Sequence, residues 1–171
     1  MRLSSDVVIS EDALRMRVEA MATAIAADTP EGSTLSVLAV MDGAFMFCSD
    51  LVRRLPMPVR LAFVPLVSVH RGGDPSQIRL PPEFPIQGAD VLVVEDILDT
   101  GRTLQALTRH LEALAPRRTR LAVLLDKPSR REVEVPVDYA GFEVDDRWFV
   151  GYGLDSAGLY RNLPYISYVE P

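Results

Sequence analysis

The stretch that decides the fold of this chain runs from Val91 to Leu104 and reads VLVVEDILDTGRTL. Its first four residues are apolar and three of them are β-branched, a pattern typical of a parallel strand covered on both faces. Two neighbouring carboxylates, Glu95 and Asp96, follow this run. Because charged groups are costly to bury, we expect the strand to deliver both acids at its carboxyl edge.

The polar turn after this strand has the composition of an anion-binding site. The segment Thr100–Thr103 combines two hydroxyl groups, one glycine and one arginine, and a helix is expected to begin there. Free N–H groups at a helix start bind phosphate, whereas the preceding carboxylates suit sugar hydroxyls or a hard cation such as Mg²⁺. The alternative is an ordinary solvated turn in which Thr103 only caps the helix.

The composition favours one globular domain that does not bind polyanions. The chain has 171 residues, of which 48% are hydrophobic and 25% charged, and we expect residues 1–171 to form a single domain. The net charge is −6 and the pI is near 4.9. Because an acidic surface repels polyanions, we expect neither nucleic acid nor a membrane as a partner.

The cysteine content and the apolar runs predict a cytoplasmic protein. The single cysteine, Cys48, cannot form an internal disulfide, and no apolar run reaches the length of a membrane span. The N-terminal residues also lack the hydrophobic core of a signal peptide. Cys48 lies among apolar neighbours, so we interpret it as a buried packing residue without a chemical role.

Helices and strands are predicted to alternate along most of the chain. The predicted helices cover about 11–28, 44–55 and 104–115, and the predicted strands cover 35–40, 59–69, 78–80, 91–94 and 120–125. Ser10 is expected to cap the first helix, and Leu104, Leu107, Leu111 and Leu114 are expected to line the buried side of the third. This alternation predicts an α/β fold, with a parallel sheet flanked by helices on both faces and ligands beyond the carboxyl ends of the strands.

A small subsidiary lobe is expected to pack on this sheet. The chain is less regular from Glu132 onwards, with short apolar runs at 139–142, 148–152 and 165–169. We expect the lobe to come from the N-terminal segment, from about 132–171, or from both.

Three segments resemble motifs of one enzyme family. Residues 95–103 resemble the phosphoribosyl-pyrophosphate loop of the type I phosphoribosyltransferases, and with aspartate at position 99 they are similar to the hypoxanthine-guanine phosphoribosyltransferases. The segments LLDKPSR at 124–130 and WFVGYGLD at 148–155 extend the resemblance, which covers about 35–166. It implies the type I phosphoribosyltransferase fold, purine salvage, Mg²⁺ as cofactor and a homodimer or homotetramer.

The implied reaction transfers the 5-phosphoribosyl group of phosphoribosyl pyrophosphate to N9 of a 6-oxopurine. The products are inosine or guanosine monophosphate and pyrophosphate. Asp99 is implied as the catalytic residue that takes the N7 proton of the base. Lys127 matches the lysine that contacts the exocyclic oxygen, and Trp148 matches the aromatic residue that stacks on the base. The backbone at Phe149 is implied to read the base edge.

The remaining implied contacts concern the ribose, the phosphates and the metal. Asp155 is implied to help hold magnesium, and Arg161 to meet pyrophosphate. The implied substrate-binding residues are Gly43, Glu95, Asp96, Asp99, Thr100, Gly101, Arg102, Thr103, Lys127, Trp148, Phe149 and Arg161. The implied metal ligands are Glu95, Asp96 and Asp155.

The chain departs from the family pattern in two places. Many members have Leu-Lys-Gly where this chain has Met41-Asp42-Gly43. Gly43 keeps the backbone freedom that a close approach needs, but Asp42 repels pyrophosphate unless a metal or an arginine intervenes. The mobile loop that usually carries Ser-Tyr has Val69-His70 here, and His70 is either an aromatic lid residue or a plain surface histidine.

Several alternatives stay open at the level of sequence. Trp148 fits simple core packing, and Lys127 and Arg161 fit solvated cations. An RNA-binding attenuation regulator on the same fold has a similar loop, including an arginine placed as Arg102, although the acidic balance and Asp99 argue against it. Among enzymes, Lys127 and Trp148 argue against adenine and uracil as substrates but say little about xanthine.

Overall fold

The computed structural model describes residues 2–65 and 80–170. Its strands are β1 (Arg2–Leu3), β2 (Leu35–Met41), β3 (Val59–Pro65), β4 (Asp90–Leu98), β5 (Arg118–Asp126), β6 (Tyr139–Glu143), β7 (Trp148–Val150) and β8 (Ser167–Glu170). Its helices are α1 (Glu11–Ala27), α2 (Phe45–Val52) and α3 (Arg102–Glu112), and a 3₁₀ turn spans Pro128–Arg130.

Five parallel strands form the central sheet in the order β3-β2-β4-β5-β6. The apolar side chains of β2, β4 and β5 alternate between two cores, one shared with α1 and α2 and the other with α3. The central strand β4 is therefore buried on both faces. This arrangement confirms the predicted parallel sheet with helices on both sides.

The helix ends agree with the sequence at α1 and differ at α2 and α3. Ser10 caps α1 as predicted, because its Oγ accepts a hydrogen bond from the Ala13 amide at 3.2 Å. Helix α2 ends at Val52 rather than near 55, and α3 ends at Glu112. After both helices the backbone hydrogen bonds join residues three apart instead of four. Leu114, expected on the buried face of α3, is exposed.

Two predicted strands extend beyond the described residues. Strand β3 is described as far as Pro65, and the rest of the predicted 59–69 strand lies outside the described residues. The same is true of the predicted 78–80 strand except for Leu80, which is not in a strand.

A second, antiparallel sheet has the strand order β1-β8-β7. It joins the N-terminal residues to the last strands of the chain, and we propose that it is the subsidiary lobe. The run at 139–142, which the sequence placed with the irregular last third, instead forms β6 and pairs with β5 in the main sheet. Within the described residues, none of the helices has the length and apolar character needed to cross a bilayer.

A buried arginine ties α1 to the sheet. Arg120 of β5 is fully buried and donates to the Thr29 hydroxyl and to the Tyr139 hydroxyl, both at 2.9 Å. The Tyr139 hydroxyl in turn donates to the Asp28 carboxylate at 2.8 Å. Because a buried charge needs hydrogen-bonding partners, this network fixes the end of α1 against β5 and β6.

Candidate active site

A cleft of about 1390 Å³ opens at the carboxyl edge of the central sheet. Its walls come from the ends of β2 and β4, the start of α3, the segment after β5, and β7 with the turn that follows it. The predicted site residues that line this one cleft are Gly43, Glu95, Asp96, Asp99, Thr100, Gly101, Arg102, Thr103, Lys127, Trp148, Phe149, Asp155 and Arg161.

The two acids of the central strand lie inside it rather than beyond its end. Strand β4 continues to Leu98, and Glu95 is only 7% exposed. Both acids line the cleft at the carboxyl edge, as expected, but the predicted end of the strand at 94 is wrong, because the backbone ladder with β5 continues as far as Leu98. Burial raises the pKa of both carboxyls, and the neighbouring charge of Asp96 raises the pKa of Glu95 further.

Other interactions of Asp96 lower its pKa and so act against the effect of burial. Its carboxylate accepts a hydrogen bond from the Ile97 amide at 2.8 Å, and the charge of Arg161 also acts to lower its pKa. Burial nevertheless dominates, so the pKa of Asp96 stays above its ordinary value. A cation bound at this pair would compensate the negative charge of both carboxylates.

The turn before α3 leaves most of its amides open. Gly101 is the N-cap of α3 with φ of +86°, and a Cβ atom there would lie 2.8 Å from the Val133 carbonyl oxygen. Among the amides of 100–103, only that of Arg102 has a hydrogen-bond partner in the described part of the chain, the Thr100 hydroxyl at 3.4 Å. The turn therefore presents free donors at a helix N-terminus.

Two arginines hold Asp99 at the edge of this turn. The side chain of Asp99 is 43% exposed, and its Oδ1 accepts a hydrogen bond from Arg130 Nε at 3.1 Å. Arg131 donates to the carbonyl oxygens of Leu98, at 3.1 Å, and of Asp99, and pairs with the Asp126 carboxylate. Backbone and side chain of Asp99 are thus both fixed by the segment after β5.

Lys127 and Trp148 form another wall of the cleft. The Lys127 side chain is only 8% exposed, donates to the Arg147 carbonyl oxygen at 2.6 Å, and lies 5.5 Å from the centre of the Phe149 ring. Trp148 is 60% exposed, and its indole donates to the Asp155 carbonyl oxygen at 3.0 Å. The readings of Lys127 as solvated and of Trp148 as core are both wrong.

Two glycines bring the end of β2 into contact with the turn after β7. A Cβ atom at Gly43 would lie 1.6 Å from Asp96 Oδ2, and one at Gly153 would lie 2.2 Å from the Gly43 carbonyl oxygen. Gly153 also has φ of +103°, whereas Gly43 does not have a positive φ. The glycine at 43 thus provides space for the Asp96 carboxylate rather than a left-handed backbone.

Arg161 connects this contact to two further carboxylates. It donates to the Gly153 carbonyl oxygen at 2.6 Å, pairs with Asp155 at 2.9 Å, and lies 3.9 Å from the Asp42 carboxylate. Arg161 is therefore a partly buried, bonded cation, contrary to its reading as solvated. Arg161 therefore faces Asp42, and its positive charge offsets the repulsion that Asp42 would exert on an anionic substrate.

Sequence reasoning gave no role to three residues of this region. Arg131 fixes the Asp99 backbone, Arg130 pairs with the Asp99 side chain, and Asp146 lies near Lys127 at 3.6 Å. The Arg130-Arg131 pair, three and four residues after Lys127, was the available signal. The predicted lid pair Val69-His70 lies outside the described residues.

The acid pair suits a magnesium ion that is shared with the substrate. In the described part of the chain, no group of three or more His, Cys, Asp or Glu side chains is placed to hold a metal by itself. Magnesium usually takes one or two protein carboxylates and completes its shell with water and substrate oxygens. The donor chemistry of Glu95 and Asp96 fits that mode of binding.

Comparisons with known proteins identify the class. The family model described as the phosphoribosyl transferase domain matches residues 10–157. The hypoxanthine phosphoribosyltransferase of Haemophilus influenzae is 40% identical over 169 residues, which cover 96% of this chain and 94% of that protein. The corresponding protein of Salmonella typhimurium is 36% identical and covers 99% of this chain and 97% of its own length.

Solved structures agree with these relatives. A crystal structure of a hypoxanthine-guanine phosphoribosyltransferase from Bacillus anthracis has a TM-score of 0.88 and 37% identity, covering 99% of this chain and 100% of that chain. The chain therefore belongs to the phosphoribosyltransferase family. Within that family it belongs to the hypoxanthine phosphoribosyltransferase branch, and the enzyme class, purine salvage function and type I fold expected from the sequence are confirmed.

Proposed function

We propose that this chain transfers the 5-phosphoribosyl group of phosphoribosyl pyrophosphate to N9 of hypoxanthine or guanine. The observation that carries the proposal is the meeting of three kinds of groups in one cleft: the buried Glu95 beside the half-buried Asp96, a turn with open amides, and a buried lysine beside an exposed indole. These groups match the ribose, the 5′-phosphate and the 6-oxopurine of the two substrates.

The turn at 100–103 binds the 5′-phosphate in this proposal. Its open amides at the start of α3 donate to the phosphate oxygens, and the helix dipole adds a favourable charge. The hydroxyls of Thr100 and Thr103 are further donors. The side chain of Arg102, which pairs with Glu132 at 2.6 Å, is the cation nearest to this anion in the turn.

Glu95 and Asp96 hold the ribose at the other end of the sugar phosphate. Their carboxylates accept hydrogen bonds from the two ribose hydroxyls. With Asp155, they are also the residues that would hold Mg²⁺, which when bound neutralises the pyrophosphate oxygens and favours their departure. Arg161, beside Asp155, binds the pyrophosphate as a cation.

The base lies between Trp148, Lys127 and Asp99. The exposed indole stacks on the purine, the Phe149 backbone contacts the edge of the ring, and Lys127 donates to the exocyclic oxygen, which adenine lacks. Asp99 accepts the N7 proton as N9 attacks the sugar carbon. In the reverse direction the same carboxyl returns that proton.

The test is incubation of the protein with MgCl₂, phosphoribosyl pyrophosphate and each of the bases hypoxanthine, guanine, xanthine, adenine and uracil. We expect inosine and guanosine monophosphate with release of pyrophosphate. A product formed only from xanthine would support the alternative of a xanthine enzyme, and no nucleotide from any base would contradict the proposal. Omission of Mg²⁺, with EDTA present, should abolish turnover.

Partners and location complete the proposal. The net charge of −6 supports the absence of nucleic acid and membrane partners, and we propose a cytoplasmic homodimer or homotetramer. Filter binding with RNA at moderate salt tests the rival regulator, because retention of RNA at nanomolar protein would favour it. Light scattering measures the oligomeric state.

A further inference from the structure

Four charged side chains of alternating sign form a continuous chain whose two ends, Lys127 and Asp99, line the cleft. Lys127 Nζ lies 3.6 Å from Asp146 Oδ1, which lies 3.7 Å from Arg130 Nε, which in turn donates to Asp99 Oδ1 at 3.1 Å. The two ends of this chain are the residues proposed to contact the purine. Its two middle members have no role in the function proposed above.

A short turn places both cations on the same side. The 3₁₀ turn Pro128–Arg130 follows Lys127, and the Arg130 amide donates to the Lys127 carbonyl oxygen at 3.1 Å. Residues three apart in a 3₁₀ turn lie above one another. Asp146 reaches both cations from the turn before β7, where the next residue, Arg147, accepts the Lys127 hydrogen bond.

The geometry matches the chemistry of the purine edge. N7 and the exocyclic oxygen of a 6-oxopurine are neighbours on one edge, so the groups that contact them must keep a fixed separation. Arg130 occupies Oδ1 of Asp99, while Oδ2 has no hydrogen-bond partner among the residues that the structure describes. An arginine bonded to one oxygen fixes the orientation of the carboxylate and leaves the other oxygen free to accept a proton.

We infer that Arg130 is a positioning residue for Asp99, and that Asp146 couples it to Lys127. Arg130 fixes the carboxylate that takes the N7 proton, and Asp146 holds Arg130 and Lys127 at a constant separation. This inference rests on the proposed function, because it assigns Asp99 and Lys127 to the same edge of the base.

The test compares Arg130→Met, which keeps the length of the side chain but removes the charge, with Arg130→Lys. The control is Arg15→Met, because Arg15 is a similarly exposed arginine that pairs with Asp12 at 3.2 Å on α1 and does not line the cleft. For Arg130→Met we expect kcat to fall about tenfold, the scale of one charge-assisted hydrogen bond, with the KM for phosphoribosyl pyrophosphate unchanged. Arg130→Lys should recover most of that loss, and Arg15→Met should behave as wild type.

Asp146→Asn tests the coupling. Alone it should lower kcat about threefold and raise the KM for guanine, because it loosens both cations. In the Arg130→Met background it should no longer affect kcat but should still raise the KM for guanine, which is the non-additivity expected of residues that act through one another.

Three outcomes would overturn the inference: kinetics of Arg130→Met equal to those of Arg15→Met, failure of lysine to recover kcat, or additive effects of the two variants. Thermal melting of each variant checks that a loss of kcat does not come from unfolding. Failure of the proposed function is a separate result, because it would show as a wild-type protein that makes no nucleotide. An active wild type with an unaffected Arg130→Met contradicts only the inference.

Discussion

The two ends of the cleft are built in different ways. The phosphate end is one continuous piece of chain, 99–103, which leaves the end of the central strand and enters α3. The opposite end is assembled from the end of β2, the inside of β4 and the turn after β7, which meet where Gly153 packs on Gly43 and Gly43 packs on Asp96. More than a hundred residues separate Gly43 from Gly153 in sequence.

This difference predicts different sensitivities. Apart from Gly101, whose left-handed backbone and close contact with Val133 leave no room for a Cβ atom, a continuous turn keeps its backbone when one side chain changes. Substitutions at the other positions should therefore alter chemistry and leave stability nearly intact. An assembled contact without a Cβ atom has no spare volume, so one added methyl group must move backbone or a carboxylate. The predictions that follow test this contrast, from the largest expected effect to the smallest.

At the continuous end, Asp99→Asn should lower turnover by about 10² to 10⁴, the usual contribution of a general base. The stability and the KM for phosphoribosyl pyrophosphate should change little, because Asp99 is partly exposed and the turn amides remain. Steady-state kinetics and thermal melting measure both, with Asp12→Asn as a remote control. Turnover near that of wild type would remove Asp99 from its proposed role.

At the assembled end, Gly153→Ala should destabilise the protein by about 3 kcal/mol, from the left-handed backbone and from contact with the Gly43 carbonyl oxygen. Gly158→Ala is the matched control, because Gly158 has φ of +81° and nothing within 4 Å of an added Cβ atom. It should cost only about 1 kcal/mol. Urea denaturation measures the free energy of unfolding of both variants. Equal losses would show that the contact of Gly153 with Gly43 contributes nothing to stability.

Lys127→Ala should weaken the preference for oxopurines about tenfold, the scale of one hydrogen bond from a charged donor. The measurement is the ratio of kcat/KM for guanine to that for adenine in the variant and in wild type. Because Lys127 is buried beside Phe149, some stability is also lost, and the ratio separates recognition from folding. A ratio equal to that of wild type would contradict the proposed contact with the exocyclic oxygen.

Helix α2, which begins just after Gly43, gives the smallest expected effect. Burial raises the pKa of Cys48 from 9.0 to about 12. A raised pKa favours the folded state below pH 9, and this contribution is lost as the pH rises towards 12. Between pH 8 and pH 10 the stability of wild type should therefore fall by about 1 kcal/mol more than that of Cys48→Ala. If the stabilities of wild type and Cys48→Ala fell equally with pH, the thiol of Cys48 would not be shielded from solvent by the helix.

The sequence was informative where a structural signal is local. Four apolar residues before two acids indicated the central strand, and Thr100 to Thr103 indicated the turn and the helix start, because strand periodicity and turn chemistry depend on neighbours within a few residues. The α/β class and the capping of α1 by Ser10 followed in the same way. Resemblance to a known family then brought the remaining site residues together.

The sequence was uninformative where the signal is a contact between distant segments. It placed Glu95 beyond the strand although the ladder with β5 keeps it inside. Arg120 looked like an ordinary polar residue at the start of a strand, and nothing in the sequence indicated the two hydroxyls to which it donates in the core. The pairing of Arg130 with Asp99 across 31 positions was equally invisible.

By itself, then, the sequence determined the strand, the turn and the class of fold, because those depend on short-range spacing and on the cost of burying charge. Only the tertiary structure decided that Gly43 makes room for Asp96, that Arg161 faces Asp42, and that Arg130 holds Asp99. These contacts arise from where the β-strands end relative to one another. That placement is a property of the packed sheet and not of any one segment.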